Sequence, residues 1–159
     1  MRWMWIDRVV ELQPRQRLVA IKLMHQGLPE ADRARFADER SHLARIEHPN
    51  VARIIDGGEL ADGHPYLAEE YVRGVPIDDY CEREALPLER RLELFLGVLD
   101  GVEAIHAAGI VHGDLKPDNI LVDATGRPRI VDFGISQLVG SSLPLARYSA
   151  GFASPEIVA

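Results

Sequence analysis

The sequence has little cysteine and no long apolar run, and each absence excludes a class of protein. Cys81 is the single cysteine, so the chain cannot form an internal disulfide, and no Cys/His cluster has metal-ligand spacing. We therefore expect a cytoplasmic protein without structural zinc. No apolar run approaches the roughly 18 residues of a membrane-spanning helix, and charge appears too early for a signal peptide.

Basic residues are also in the minority. The chain of 159 residues has 18 Lys and Arg against 25 Asp and Glu, a net charge of −7, and no extended basic run. This balance argues against nucleic acid or an anionic membrane as the main partner. What is present is an apolar share of 47%, which is enough for a sizeable core.

Hydrophobic periodicity predicts a small antiparallel sheet with one helix in the first part of the chain. From about Glu30, Phe36, Leu43 and Ile46 recur at helical spacing until the sequence His48-Pro49-Asn50, which predicts an amphipathic helix that ends near the proline. Short apolar runs predict four strands, at residues 5–10, 18–23, 51–55 and 66–72.

The pattern becomes mainly helical after a predicted turn at residues 73–76. We place a boundary there, between a sheet lobe (1–72) and a helical lobe (73–159). A short helix is predicted at 77–84, a long helix from Pro87 to near Gly109, a hairpin at 119–122 and 129–131, and mainly loop from 134 onward. The long helix places six apolar residues on one stripe: Leu92, Phe95, Leu96, Leu99, Val102 and Ile105.

Charged and amide side chains cluster in the sequence around the predicted hairpin. Asn119 and Asp132 lie at its facing ends, and their oxygens suit Mg²⁺ that keeps other positions for water and phosphate. Asp114 is placed to accept a proton from a hydroxyl, and Lys116 to neutralise a phosphoryl oxygen. Either aspartate alone is equally compatible with an ordinary turn residue, but the joint pattern favours a site.

Two further charges lie at positions where apolar residues are expected. Lys22 is within the apolar strand 19–23, and Glu39 lies in the predicted helix beside Phe36 and Leu43. Because an unpaired buried charge costs several kcal/mol, we expect this lysine and glutamate to pair. The alternative is a lysine on an edge strand and a solvated helical glutamate.

These residues occur in a recognisable order. Val19-Ala20-Ile21-Lys22, Glu39, His48-Pro49-Asn50, the run His112 to Asn119, Asp132-Phe133-Gly134 and Ser154-Pro155-Glu156 follow the protein-kinase signature set. The chain resembles a bacterial-type, eukaryotic-like Ser/Thr protein kinase over almost its whole length. The resemblance implies an α+β, two-lobe kinase fold that is incomplete in this chain, with ATP, Mg²⁺ and a protein substrate carrying Ser or Thr.

The resemblance also implies a role for each matched residue. Lys22, fixed by Glu39, would hold the α- and β-phosphates, and Asp114 would orient and deprotonate the substrate hydroxyl. Lys116 would contact the γ-phosphate, while Asn119 and Asp132 would hold Mg²⁺. Four residues match the adenine site: Ala20 and Leu121 on either side of the base, and Glu70 and Val72 in the hinge. Four others match a stacked apolar column: Leu43, Ile54, His112 and Phe133.

The sequence departs from the family pattern in several places. No glycine-rich loop precedes the first strand, and the helices that follow Glu156 in the family, like any sensor domain, would belong to sequence beyond this chain. Gly113 stands where many kinases have the arginine that reads a phosphorylated activation loop. Glu69, just before the hinge, is usually apolar, and it could compete with Glu39 for Lys22, have a raised pKa, or turn to solvent.

Three functions are compatible with this pattern. The first is a Ser/Thr protein kinase domain, impaired or inactive as these 159 residues alone. The second is a pseudokinase-like scaffold that binds nucleotide without turnover. The third is a small-molecule phosphotransferase of the aminoglycoside or choline kinase type, against which Lys116 and the Ser154-Pro155-Glu156 motif argue.

Overall fold

The computed structural model of the chain describes residues 8–12, 17–23 and 44–132. Its first sheet contains four antiparallel strands in the order β1-β2-β4-β3. The strands are β1 (Arg8–Leu12), β2 (Arg17–Leu23), β3 (Ile54–Glu59) and β4 (Pro65–Glu70). Ala20 pairs with Glu69, and Lys22 pairs with Leu67. Because side chains alternate along a strand, Ala20 and Lys22 of β2 lie on the same face of the sheet as Leu67 and Glu69 of β4.

A second sheet and two helices follow. Strands β5 (Gly74–Pro76), β6 (Ile120–Asp123) and β7 (Pro128–Ile130) form an antiparallel sheet in that order. Between β5 and β6 lie helix α1 (Ile77–Arg83), helix α2 (Leu88–Ala107) and a 3₁₀ turn (Pro117–Asn119). Within the described part of the chain, neither helix combines the length and apolar character that crossing a bilayer requires.

The end of α2 shows how local sequence fixes the start of the next segment. Gly109, at φ +76°, takes the left-handed conformation that glycine adopts without strain. Its N–H donates to the carbonyl of His106 at 2.9 Å, and the N–H of Ile110 donates to Ile105 at 3.2 Å. These are the two hydrogen bonds of a Schellman motif, so the chain leaves the helix in a defined direction toward His112.

The turn before β3 ties the first sheet to β7. The carbonyl of Asn50 accepts a hydrogen bond from the N–H of Ile130 at 2.7 Å, and its side-chain amide donates to the carbonyl of Pro128 at 2.9 Å. The N–H of Ala52 completes the set by donating to Ile130 at 2.8 Å. One short segment is therefore bonded along the whole of β7.

The main core lies beneath this junction. Ile54, Leu67, Ile105 and Ile130 come from both sheets and from α2, and all are almost completely buried. Burial of such side chains contributes about 1.5–3 kcal/mol each. The packing therefore joins the two sheets through one shared cluster.

Three predictions about individual elements were wrong. The strand predicted at 51–55 is β3 at 54–59, and Val51 forms only an isolated bridge to Ile130. Residues 74–76, predicted as part of a turn, form β5 and pair with β6. On α2, four members of the predicted stripe are exposed, whereas the buried residues of that helix are Leu94, Val98, Gly101 and Ile105.

The other predicted elements agree with the structure where it describes them. Strand β2, both helices and the hairpin formed by β6 and β7 are confirmed within one or two residues of the predicted bounds. The strand predicted at 5–10 begins at Arg8 within the described residues. Most of the predicted helix of residues 30–48, and the predicted loop from residue 134, lie outside the described residues.

Candidate active site

Lys22 forms a buried ion pair that the sequence offered only as one of several possibilities. Its ammonium lies 2.6 Å from Oε1 of Glu69 on the neighbouring strand β4. Both residues are 4% exposed. Because Lys22 and Glu69 lie diagonally on the same face of adjacent strands, the sheet itself brings them together.

Asp132, which follows β7, approaches the same ammonium from a distant part of the chain. Its Oδ1 lies 2.5 Å from Nζ of Lys22, although the two residues are 110 positions apart in the chain. Asp132 has φ +63°, a left-handed conformation that aspartate tolerates better than most residues. Burial alone would lower the pKa of Lys22, but the carboxylates of Glu69 and Asp132 outweigh it and raise that pKa, so the lysine is charged.

The predicted catalytic loop forms a second charged group. Nζ of Lys116 lies 3.0 Å from Oδ2 of Asp114, and each side chain is 23% exposed. The amide nitrogen of Asn119 donates to the carbonyl of Asp114 at 2.7 Å and approaches its Oδ2 at 3.3 Å. The structure therefore brings Asp114, Lys116 and Asn119 into contact.

Val131 connects the loop to Asp132. Its N–H donates to the carbonyl of Asn119 at 2.9 Å, and its carbonyl lies 3.1 Å from Nε2 of His112. The loop thus holds Val131, the residue before Asp132, through both its backbone N–H and its backbone carbonyl. These hydrogen bonds connect the segment that carries Asp132, the partner of Lys22, to the loop that carries Asp114.

His112 has a structural part in these hydrogen bonds. Burial lowers its pKa, and a neutral ring can donate from Nε2 to Val131 while Nδ1 accepts the N–H of Asp114 at 3.4 Å. His112 is 4% exposed, as is expected for a residue of the predicted apolar column, and Ile54 of that column is 3% exposed.

The donor atoms fit the predicted Mg²⁺ site. The amide nitrogen of Asn119 faces Asp114, so the amide oxygen is the atom left to face a cation, and Asp132 is 46% exposed on its side chain. Within the described residues, no group of three or more His, Cys, Asp and Glu side chains could hold a metal ion. Two hard oxygen ligands suit Mg²⁺, which usually takes its other ligands from phosphate and water.

The residues predicted to contact adenine lie on the expected elements. Ala20 lies on β2 opposite Glu69, Leu121 lies on β6, and Val72 is buried just after β4. The side chain of Glu70 forms an ion pair with Arg129 of β7, with Oε2 and the guanidinium nitrogen 2.7 Å apart. Contact of these four residues with a base stays a prediction.

Some predicted site residues cannot be placed. Glu39, the predicted partner of Lys22, lies outside the described residues, as do Leu43, Phe133 and the Ser154-Pro155-Glu156 motif. The sequence did contain a sign of the observed partner, Glu69. This charged residue lies in an apolar strand directly after Leu67 and Ala68, which are both buried. Charge in a buried strand required a partner, but the pattern did not identify it.

Comparison with known proteins specifies the family to which this fold and these charged groups belong. Residues 8–159 match the family model of the protein kinase domain. The chain therefore belongs to the protein kinase domain family, and its antiparallel sheets and helices form part of the two-lobe kinase fold.

Curated relatives support the same family. The chain is 39% identical over 146 residues to the DNA damage-responsive serine/threonine-protein kinase RqkA of Deinococcus radiodurans, covering 90% of this chain and 22% of the relative. It is 41% identical over 128 residues to the serine/threonine-protein kinase pkn2 of Myxococcus xanthus, covering 77% and 15%. It is 34% identical over 129 residues to the probable serine/threonine-protein kinase PknB of Lactococcus lactis, covering 79% and 20%. The chain thus spans about a fifth of the length of these relatives.

Proposed function

We propose that this chain supplies the catalytic site of a Ser/Thr protein kinase, which transfers the γ-phosphate of ATP to hydroxyl groups of proteins. The observation that carries the proposal is the convergence of two charged groups, Lys22 with Asp132 and Asp114 with Lys116. The names of the relatives support a protein substrate rather than a small molecule. The single cysteine supports a cytoplasmic location.

Each residue has a physical task in this proposal. Lys22 is charged and buried, so it can hold phosphate oxygens in a site with little water to screen the attraction. Asp114 accepts the proton of the substrate hydroxyl, and Lys116, held 3.0 Å from it, neutralises the transferred phosphoryl group. Asn119 and Asp132 would hold Mg²⁺, which would neutralise negative charge on the phosphates.

The decisive experiment is phosphate transfer from Mg-ATP to a generic protein substrate. Asp114→Asn is expected to lower kcat about 10²–10⁴-fold, because it removes the proton acceptor while preserving the shape of the side chain. Asp118→Asn is the matched control, since Asp118 is an exposed acid of the same loop with no assigned role. Equal transfer by Asp114→Asn and the parent would contradict the proposal.

A nucleotide-binding scaffold without turnover is the second candidate. The observation that favours it is Glu69, whose carboxylate occupies the ammonium of Lys22. Such a scaffold would show a nucleotide-dependent rise in Tm without any transfer of phosphate. Robust transfer by the protein would exclude it.

A further inference from the structure

Arg129 on β7 is a largely buried cation to which the proposed reaction gives no task. Its side chain is 16% exposed, and its Nη2 donates to Oε2 of Glu70 at 2.7 Å and to the carbonyl of Val51 at 3.2 Å. Glu70 ends β4 and Val51 precedes β3, so the two partners lie 59 and 78 positions away in the chain. One guanidinium therefore connects three separate segments.

Glu70 is held through its backbone as well as through its side chain. Its N–H donates to the carbonyl of Arg53 at 2.8 Å, and its Oε2 also accepts the N–H of Arg53 at 3.4 Å. With Arg129 on the same oxygen, the end of β4 is fixed directly before Tyr71 and Val72. Because the side chain of Glu70 is 42% exposed, the ion pair contributes little to stability, and its main effect is on the position of this segment.

Strand β7 is held in place without this ion pair. The N–H of Ile130 donates to Asn50 at 2.7 Å, and its carbonyl accepts the N–H of Ala52 at 2.8 Å. These backbone bonds do not involve the Arg129 side chain, so its loss leaves β7 where it is. What the loss removes is the side-chain anchor of Glu70, at the segment that the proposed function assigns to the base of ATP.

We propose that Arg129 is a positioning residue for the base of a bound nucleotide. Through Glu70, it fixes the backbone groups of residues 70–72 before the base arrives. The inference rests on the proposed function, because it takes ATP as the ligand and residues 70–72 as the segment that bonds its base. Without Arg129, binding must also order this segment, and ordering the backbone of one residue weakens binding about tenfold.

The test compares a ligand that has a base with one that lacks it. Calorimetric titration gives the Kd of Mg-ATP, and displacement of ATP by Mg-tripolyphosphate gives the Kd of the phosphates alone. For Arg129→Met, the Kd of ATP is expected to rise about tenfold, while the Kd of tripolyphosphate stays at the parent value. A merely structural role would not separate two ligands that share the phosphate site.

Further variants show whether the effect acts through the ion pair. Glu70→Gln is expected to weaken ATP binding as Arg129→Met does, and the double variant is expected to bind no more weakly than either single variant. Arg129→Lys keeps the positive charge and is expected to retain most of the affinity for ATP. Arg90→Met is the matched control, because it breaks an exposed ion pair with Glu93 on α2 and is expected to leave both Kd values unchanged.

The outcomes separate this inference from the proposed function. If Arg129→Met weakens the binding of ATP alone and the parent transfers no phosphate, the inference holds and the kinase activity is wrong. If the folded Arg129→Met protein binds ATP as the parent does, or loses affinity for both ligands equally, the inference is overturned whatever the transfer assay shows. A parent that binds ATP no more tightly than tripolyphosphate would overturn it too, and a parent that binds neither would overturn both.

Discussion

The pairing of Lys22 with Glu69 predicts a marked asymmetry when either side chain is removed. Lys22→Met takes away the ammonium that faces two carboxylates, one of which is 4% exposed. Glu69→Met removes one carboxylate but leaves the lysine beside Asp132. The lysine substitution is therefore expected to be the more damaging of the two.

The magnitude follows from burial. The side chains of Lys22 and Glu69 are 6% and 5% exposed, so breaking the pair at the lysine is expected to lower the free energy of unfolding by about 3–5 kcal/mol. Replacing both charges by methionine also removes the buried carboxylate that has lost its lysine, and is expected to recover most of that loss. The resulting coupling energy is about 2 kcal/mol or more.

Urea unfolding of the parent, the two single variants and the double variant measures this coupling. The matched control is the exposed pair of Arg53 and Glu47, with side chains 53% and 70% exposed and atoms 3.1 Å apart. Its coupling is expected to be about 0.2–1 kcal/mol. Equal coupling in the two pairs, or a double variant no more stable than Lys22→Met, would refute the reasoning.

Two further predictions concern packing and pH. Gly101→Ala places a Cβ 2.9 Å from Cδ1 of Ile130 and 3.1 Å from the carbonyl oxygen of Asn50. The free energy of unfolding measured by denaturation is therefore expected to fall by about 1–3 kcal/mol, and a more stable variant would contradict this packing. Burial holds the pKa of His112 below its ordinary value of 6.5, so the unfolded chain takes up a proton first and stability falls as pH drops through 6.5. Relative to His112→Gln, the parent is expected to lose up to about 1.4 kcal/mol per pH unit in this range, and parallel pH profiles would argue against a buried neutral ring.

The sequence predicted residues better than it predicted packing. The order of the charged motifs resembles the protein-kinase signature set, and this resemblance indicated Lys22, Asp114, Lys116 and Asn119 as members of one site. The structure brings Asp114 into contact with Lys116 and Asn119, and Lys22 into contact with Asp132. Hydrophobic periodicity indicated the sheets and helices, but it could not indicate which strand edge meets which.

Strand β5 shows why. Gly74 and Pro76 are typical turn residues, so the sequence favours a turn in this segment. In the structure, a Cβ on Gly74 would lie 2.8 Å from the carbonyl of Val122 and 2.9 Å from Cβ of Leu121. The absence of a side chain at Gly74 therefore allows β5 to approach β6 closely, and pairing with β6 overrides the local preference for a turn.

The prediction of the buried face of helix α2 was wrong for a related reason. The apolar stripe was chosen by hydropathy, which gives no weight to glycine, yet Gly97 and Gly101 lie on the face that meets β7. A Cβ at either position would come within 2.9 Å of Pro128 or Ile130. The small residues let the strand approach the helix closely, so Leu94, Val98 and Ile105 become the buried residues while Leu92, Phe95, Leu96 and Leu99 stay exposed.

This close approach explains how distant parts of the chain form one site. Strand β7 is bonded to the Asn50 turn on one side and packs on the glycine face of α2 on the other. Val131, the next residue, is clamped by His112 and Asn119. The position of β7 therefore fixes both the loop that carries Asp114 and the residue that reaches Lys22, and any change that shifts this strand should alter both charged groups together.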